Sequence, residues 1–152
     1  MKAPIFALIG VVAAVALSVL VMTNLERQHR AVAALPPVEY VTHEDMQALL
    51  VSGRKLVGVL GTGSMAPYIP KGDPRKIVAY AELEGSDFGD LHVGDLVVYR
   101  SARGGVIHQV SSKDNDGWIV SGLNNKFYDA TRVVRSNFSG RVVRTFVLKT
   151  GP

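Results

Sequence analysis

Apolar and polar positions along the chain change period in three steps. Residues 5–22 form an uncharged run of 18 residues. As a helix it reaches about 27 Å, close to the thickness of a bilayer's hydrocarbon core. That run exceeds the apolar region of an ordinary leader, and it predicts a retained N-terminal transmembrane anchor. Residues 31–41 carry Pro36-Pro37 and read as a short stiff linker. Thr42 opens a capping-box-like Thr-x-x-Asp, and Met46, Leu49 and Leu50 follow at helical spacing, so one short helix is expected over 43–51. Ser52-Gly53 stops it.

Beyond residue 54 the period shortens. β-rich runs recur at 55–60, 77–81, 96–100, 106–110, 118–121 and 141–148, separated by Gly, Asp, Asn and Pro clusters such as Lys71-Gly72-Asp73-Pro74 and Asp114-Asn115-Asp116-Gly117. The expectation is a mainly β domain, an antiparallel sheet partly rolled into a barrel, with one helix. The chain then divides into 1–30 (anchor and flank), 31–41 (linker) and 42–152 (β domain). No internal repeat interrupts this pattern.

Composition narrows the chemistry. At 152 residues and 47% hydrophobic content there is room for one membrane segment and one domain. Of the net charge of +4, Lys2, Arg27 and Arg30 against Glu26 hold +2 within residues 1–30. The remaining charge is too small and too scattered for nucleic-acid binding. Positive charge flanks the apolar run on both sides, so charge counting does not orient the anchor. There are no cysteines, which excludes a disulfide framework and a thiol nucleophile. His29, His43, His92 and His108 show no i, i+4 pairing, so no metal site is expected.

The densest chemical signal is Gly61-Thr62-Gly63-Ser64-Met65-Ala66-Pro67-Tyr68-Ile69-Pro70. A serine hydroxyl reacts only when a base takes its proton and fixed donors receive the negative charge that develops on the substrate. Gly61 and Gly63 allow close approach of a substrate backbone, while Pro67 and Pro70 keep the segment out of a helix. The hydroxyl of Thr62 beside the backbone N–H of Ser64 would make a two-donor oxyanion hole. The same residues match Gly-x-Gly-x-x-Ala, but a dinucleotide-binding turn must open a helix, and the two prolines forbid one. A lipase-type elbow would need glycine where Ala66 stands. An ordinary surface loop, with Met65 as a core plug, is the plain alternative.

A base must come from elsewhere. His108 lies in the apolar run Gly105-Val106-Ile107-His108-Gln109-Val110, next to the strand-like Gly94-Asp95-Leu96-Val97-Val98-Tyr99. Asp129 ends the polar stretch Gly122-Leu123-Asn124-Asn125-Lys126-Phe127-Tyr128-Asp129 and can orient the imidazole. Asp114 and Asp116 look like turn formers. No lysine occupies an apolar strand centre, where its pKa would fall enough to serve as base. A solvent-facing histidine in a hairpin is the alternative for His108.

These blocks, in this order, resemble the signal peptidase I family over about residues 56–147: Thr62-Gly63-Ser64-Met65-Ala66-Pro67, the Gly94-Asp95 strand, the His108 strand and the Asn124-Asn125 loop. The chain is most similar to the archaeal and endoplasmic-reticulum branch, whose base is histidine. The resemblance implies Ser64 as nucleophile, His108 as general base, Asp129 as its partner and Thr62 with Ser64 at the oxyanion hole. Met65, Pro67 and Tyr68 are the expected substrate-side residues, with core packing the alternative for Tyr68. Implied with them are a membrane-bound endopeptidase that needs no cofactor, signal-peptide-bearing preproteins as substrates, a lipid bilayer beside the site and an extracytoplasmic domain. Two positions depart from the family pattern: Leu123 replaces an aspartate and Gln109 an arginine. They favour an alternative, a catalytically idle β module that binds a secretion partner. A dedicated peptidase with one substrate would carry the same site. Ala31-Val32-Ala33 is a small-x-small sequence at which the domain could be released. A histidine base predicts activity that falls away on the acid side of neutrality.

Overall fold

The computed structural model describes Ser18 and residues 35–85, 87–102 and 104–149. Apart from Ser18, the anchor expected over 5–22 lies outside the described residues, as does Ala31-Val32-Ala33. Among the described residues no helix is long and apolar enough to cross a membrane.

The described domain is mainly antiparallel β with one helix. Its elements are β1 (Val38–Val41), α1 (His43–Leu50), β2 (Leu56–Leu60), β3 (Ile77–Glu84), a single 3-10 turn (Phe88–Asp90), β4 (Leu96–Ser101), β5 (Gly104–Asp114), β6 (Gly117–Ser121) and β7 (Phe138–Leu148). α1 starts where the sequence predicts, because Thr42 and Asp45 form a reciprocal capping box, each side chain meeting the other's backbone N–H.

The sheet runs β2-β3-β7-β4-β5-β6 and is open, with β2 and β6 at its ends. β1 is the one parallel addition, pairing Val38–Val41 with Thr145 to Leu148 of β7. The stretch expected as a free linker is therefore partly a strand. Pro36-Pro37 obscured it, yet Pro37 still offers its carbonyl to the Thr145 N–H at 3.0 Å, because proline lacks only the donor.

Alternation puts β4 at the centre of two cores. Leu96 and Val98 join Val59, Ala79, Ile107 and Val142 on one face, while Val97 and Tyr99 join Val110, Trp118, Val120 and Val133 on the other. Val59 of β2 and Ile107 of β5 share one cluster although three strands separate them in the sheet order, so the sheet folds over that core. In β7 the register moves from Glu82↔Arg144 to Leu83↔Val142, leaving Val143 as an extra residue. That bulge switches the alternation and sends Val142 to the same core as Val147. A third, smaller cluster of Val41, Met46 and Phe146 seats α1.

Candidate active site

β2 ends at Leu60, and the chain then makes a closed loop whose neck is fastened by Gly61 N–H to Lys76 O at 3.1 Å and Gly72 N–H to Gly61 O at 3.0 Å. A Cβ on Gly61 would lie 2.9 Å from the Gly72 backbone, so the neck closes only with glycine there. Gly63 takes φ +84°, a conformation side chains rarely adopt, and turns the chain so that Ala66 N–H reaches Gly63 O at 3.2 Å. Met65 and Ile69 are both buried in the core beneath. Between these anchors Ser64 is left half-buried at the surface of a groove.

That groove has a volume of about 450 Å³ and runs between Val57–Leu60 of β2 on one side and Gly105–His108 of β5 on the other, with Thr62, Ser64 and Met65 at its floor and end. His108 is brought there by strand register. It pairs with Val97, so its side chain leaves β5 on the same face as Val97 and Tyr99. Its Nδ1 donates to Asp129 Oδ2. With Nδ1 as donor, Nε2 is left to accept a proton.

The loop after β6 closes the site. Asn124 N–H donates to Ser64 O at 2.9 Å, and Asn124 Nδ2 donates to Gly63 O at 3.2 Å, so one residue grips two successive carbonyls of the serine loop. Gly122 lies where the parts meet. A Cβ built on it would stand 2.5 Å from Ser64 O and 2.9 Å from both His108 Nε2 and Asn125 Nδ2. The Ser64 carbonyl and the imidazole therefore share the space a side chain would fill beside the Gly122 α-carbon. Ser64 Oγ itself is 3.4 Å from Thr62 Oγ1, its hydrogen-bond partner. Serine–base contacts are often loose without substrate and tighten in the reacting complex.

Ser64, Thr62, Met65 and His108 thus line one groove, and Asp129 joins it through His108. Pro67 is exposed and outside the groove lining, and the Ala66–Pro67 peptide is cis. Tyr68 points into the fold instead. Its hydroxyl donates to Pro36 O at 3.1 Å and meets Thr145 Oγ1 at 2.8 Å, pinning the start of β1 to β7. The two departures from the family pattern have structural partners: Leu123 packs against the main core, and Gln109 Nε2 donates to Gly94 O at 3.0 Å, holding the turn before β4. Asp114 accepts from Asp116 N–H at 2.9 Å and pairs with Arg132 at 2.9 Å, as a turn former should. The Arg132 hydrogen bond holds its carboxyl below the usual range. Among the described residues no acidic or histidine cluster could hold a metal ion.

Sequence reading gave no role to Tyr99, Gly122 or Asn124. Tyr99 is 1% exposed and donates its hydroxyl to Asp129 Oδ2. Burial, then the hydrogen bond and charge of Asp129, push its phenol well above the ordinary value near 10. A folded-state pKa raised above the unfolded one stabilises fully below about pH 10, and the contribution is lost as pH rises beyond it. Burial also raises the Tyr68 phenol, which acts in the same direction. Thermal midpoints measured across alkaline pH should therefore fall above about pH 10, and more steeply in the parent than in Tyr99→Phe. Equal slopes would show that the buried phenol does not govern alkaline unfolding.

No family model, curated protein or solved structure matches the chain.

Proposed function

We propose that this chain is a membrane-anchored serine endopeptidase with a signal-peptidase-like fold, removing leader segments from exported proteins. Ser64 is the nucleophile, His108 the general base and Asp129 the group that orients it. The carrying observation is the convergence on Gly122. Ser64's backbone and His108 Nε2 both approach one α-carbon, while His108 Nδ1 is held by a carboxylate.

In the reaction, His108 Nε2 takes the Ser64 proton as Oγ bonds to the scissile carbonyl carbon. The oxyanion is met by the Ser64 N–H and the Thr62 hydroxyl, which lies 3.4 Å from Ser64 Oγ. The imidazolium then gives its proton to the departing amine, leaving an ester on Ser64. Water, deprotonated by the same Nε2, hydrolyses that ester and restores the hydroxyl. β2 is an end strand of the sheet and lines the groove, so an extended peptide can add to its free edge. Residues 5–22 would anchor the domain beside the outer membrane surface, where leaders emerge. The 3.4 Å contact of Ser64 Oγ with Thr62 favours a second reading, an idle module that binds extended segments without cutting them.

The decisive test is the intact chain in liposomes with preproteins carrying Ala-x-Ala sites. The expected product has a new N-terminus immediately after the small residue. Folded protein that leaves several different leaders intact would remove the peptidase reading and leave the binding module.

A further inference from the structure

Asp129 sits in an irregular loop, and its backbone is fixed by Asp129 N–H to Val120 O at 2.9 Å and by Arg132 Nη1 to Asp129 O at 3.3 Å. Those bonds place its Cα but not its carboxylate, which turns about its own side-chain torsions. Arg132 does not reach that carboxylate; its charge is paired with Asp114. Among the described residues the only ion-pair partner of the Asp129 side chain is His108. One further group touches it, the Tyr99 hydroxyl, and it lands on Oδ2, the same oxygen that His108 Nδ1 uses.

Tyr99 comes from the most constrained part of the fold. β4 is paired on both edges, with β5 and with β7. The ring packs in the core with Val97, Val110 and Val120. Phenylalanine would fill that space equally well, and a buried hydroxyl costs free energy unless it is partnered. The hydroxyl is therefore not explained by packing.

We infer that Tyr99 is a positioning residue of the Ser64–His108–Asp129 site, fixing the Asp129 carboxylate from the rigid strand β4 and sharing Oδ2 with His108 Nδ1. It rests on the proposed catalytic reading only for its effect on rate, because the geometry exists whether or not the chain cuts peptides. Two consequences follow from the shared oxygen. Without the phenol, Asp129 samples more rotamers and the imidazole is aimed less well. With one donor gone, Oδ2 becomes a stronger acceptor and draws harder on the His108 Nδ1 proton. Around His108 the Asp129 carboxylate meets Nδ1, with the Tyr99 hydroxyl on the same oxygen, while the Ser64 carbonyl and the Asn125 amide share with Nε2 the space beside the Gly122 α-carbon.

The experiment uses the intact chain in detergent micelles with nitrogen-15-labelled histidine. His108 is identified by the signal lost in His108→Asn. At one alkaline pH, the His108 Nδ1 resonance is read through the carbon-bound ring protons in the parent, in Tyr99→Phe and in a chain with 3-fluorotyrosine at position 99. Tyr99→Phe is expected to move it downfield. The fluorinated phenol, a stronger donor of nearly the same shape, is expected to move it upfield. An unchanged resonance in both, or shifts of the same sign, overturns the inference; a merely structural role predicts no opposite pair. If Tyr99→Phe fails to fold, the fluorinated chain carries the same test alone. On a cleaved leader substrate, Tyr99→Phe should lower kcat about 10-fold or more with KM within about 2-fold, the loss of one hydrogen bond to a charged group. Opposite resonance shifts in a chain that cleaves no leader would uphold Tyr99's role and reject the peptidase reading.

Discussion

Ser64→Ala and His108→Ala should each lower leader cleavage by roughly 10⁴- to 10⁶-fold, and the double variant should be no slower than the worse single one. A nucleophile and its base act as one unit. Once the hydroxyl is gone there is no proton for the imidazole to take, and once the imidazole is gone the hydroxyl is left a weak nucleophile. Neither change should unfold the protein. Among the described residues, the hydrogen bond Ser64 Oγ would lose is the 3.4 Å contact with Thr62. His108→Ala leaves Asp129 with the Tyr99 donor. Cleavage rates of the four chains on one substrate, beside their thermal midpoints, decide the matter. Losses that multiply in the double variant would mean that the two side chains contribute independently, and the serine–histidine unit would fall.

The parts of the fold that were legible in the sequence are those carried by local signals. The capping box at Thr42 and Asp45 and the short β-rich runs of β2, β4 and β6 are written in consecutive residues. β1 was not legible, because its pairing with β7 spans more than 100 positions and its approach is marked by prolines that resemble a linker. The polar end of β5, Ser111-Ser112-Lys113-Asp114, lacks apolar alternation and is a strand only because β6 returns along it after a two-residue turn. At the candidate site, Ser64, His108 and Asp129 were named by chemical type and order, and the structure puts Ser64 and His108 on one groove with Asp129 against His108. Tyr99 was not, since a tyrosine in an apolar strand looks like core until Asp129 is folded over it. Tyr68 shows the converse: adjacent to the serine in sequence, it is turned by the loop toward Pro36 and Thr145. Proximity along a chain predicts function poorly where the loop reverses direction within four residues.

Gly122→Ala should lower cleavage by about 100-fold or more. The backbone does not forbid it, since Gly122 is not among the glycines with positive φ. The cost is steric. The new Cβ would stand 2.5 Å from Ser64 O and 2.9 Å from His108 Nε2, closer than side-chain carbons approach such atoms. Ser64 O is already held by Asn124 N–H at 2.9 Å, so relief by moving the serine loop strains that bond. Relief by moving the imidazole pulls Nδ1 from Asp129. Either path separates nucleophile from base by several tenths of an ångström to about 1 Å, a displacement that can cost about two orders of magnitude in rate. Overpacking of this kind also costs about 1–3 kcal/mol of stability. Gly85→Ala is the matching control, because nothing lies within 4 Å of its added Cβ, and it should leave rate and thermal midpoint unchanged. Cleavage by Gly122→Ala is to be measured well below its own midpoint, so that unfolding does not masquerade as misplacement. A Gly122→Ala chain that cuts at the parent's rate would mean that the close approach of Ser64 and His108 across this α-carbon is not what drives the reaction.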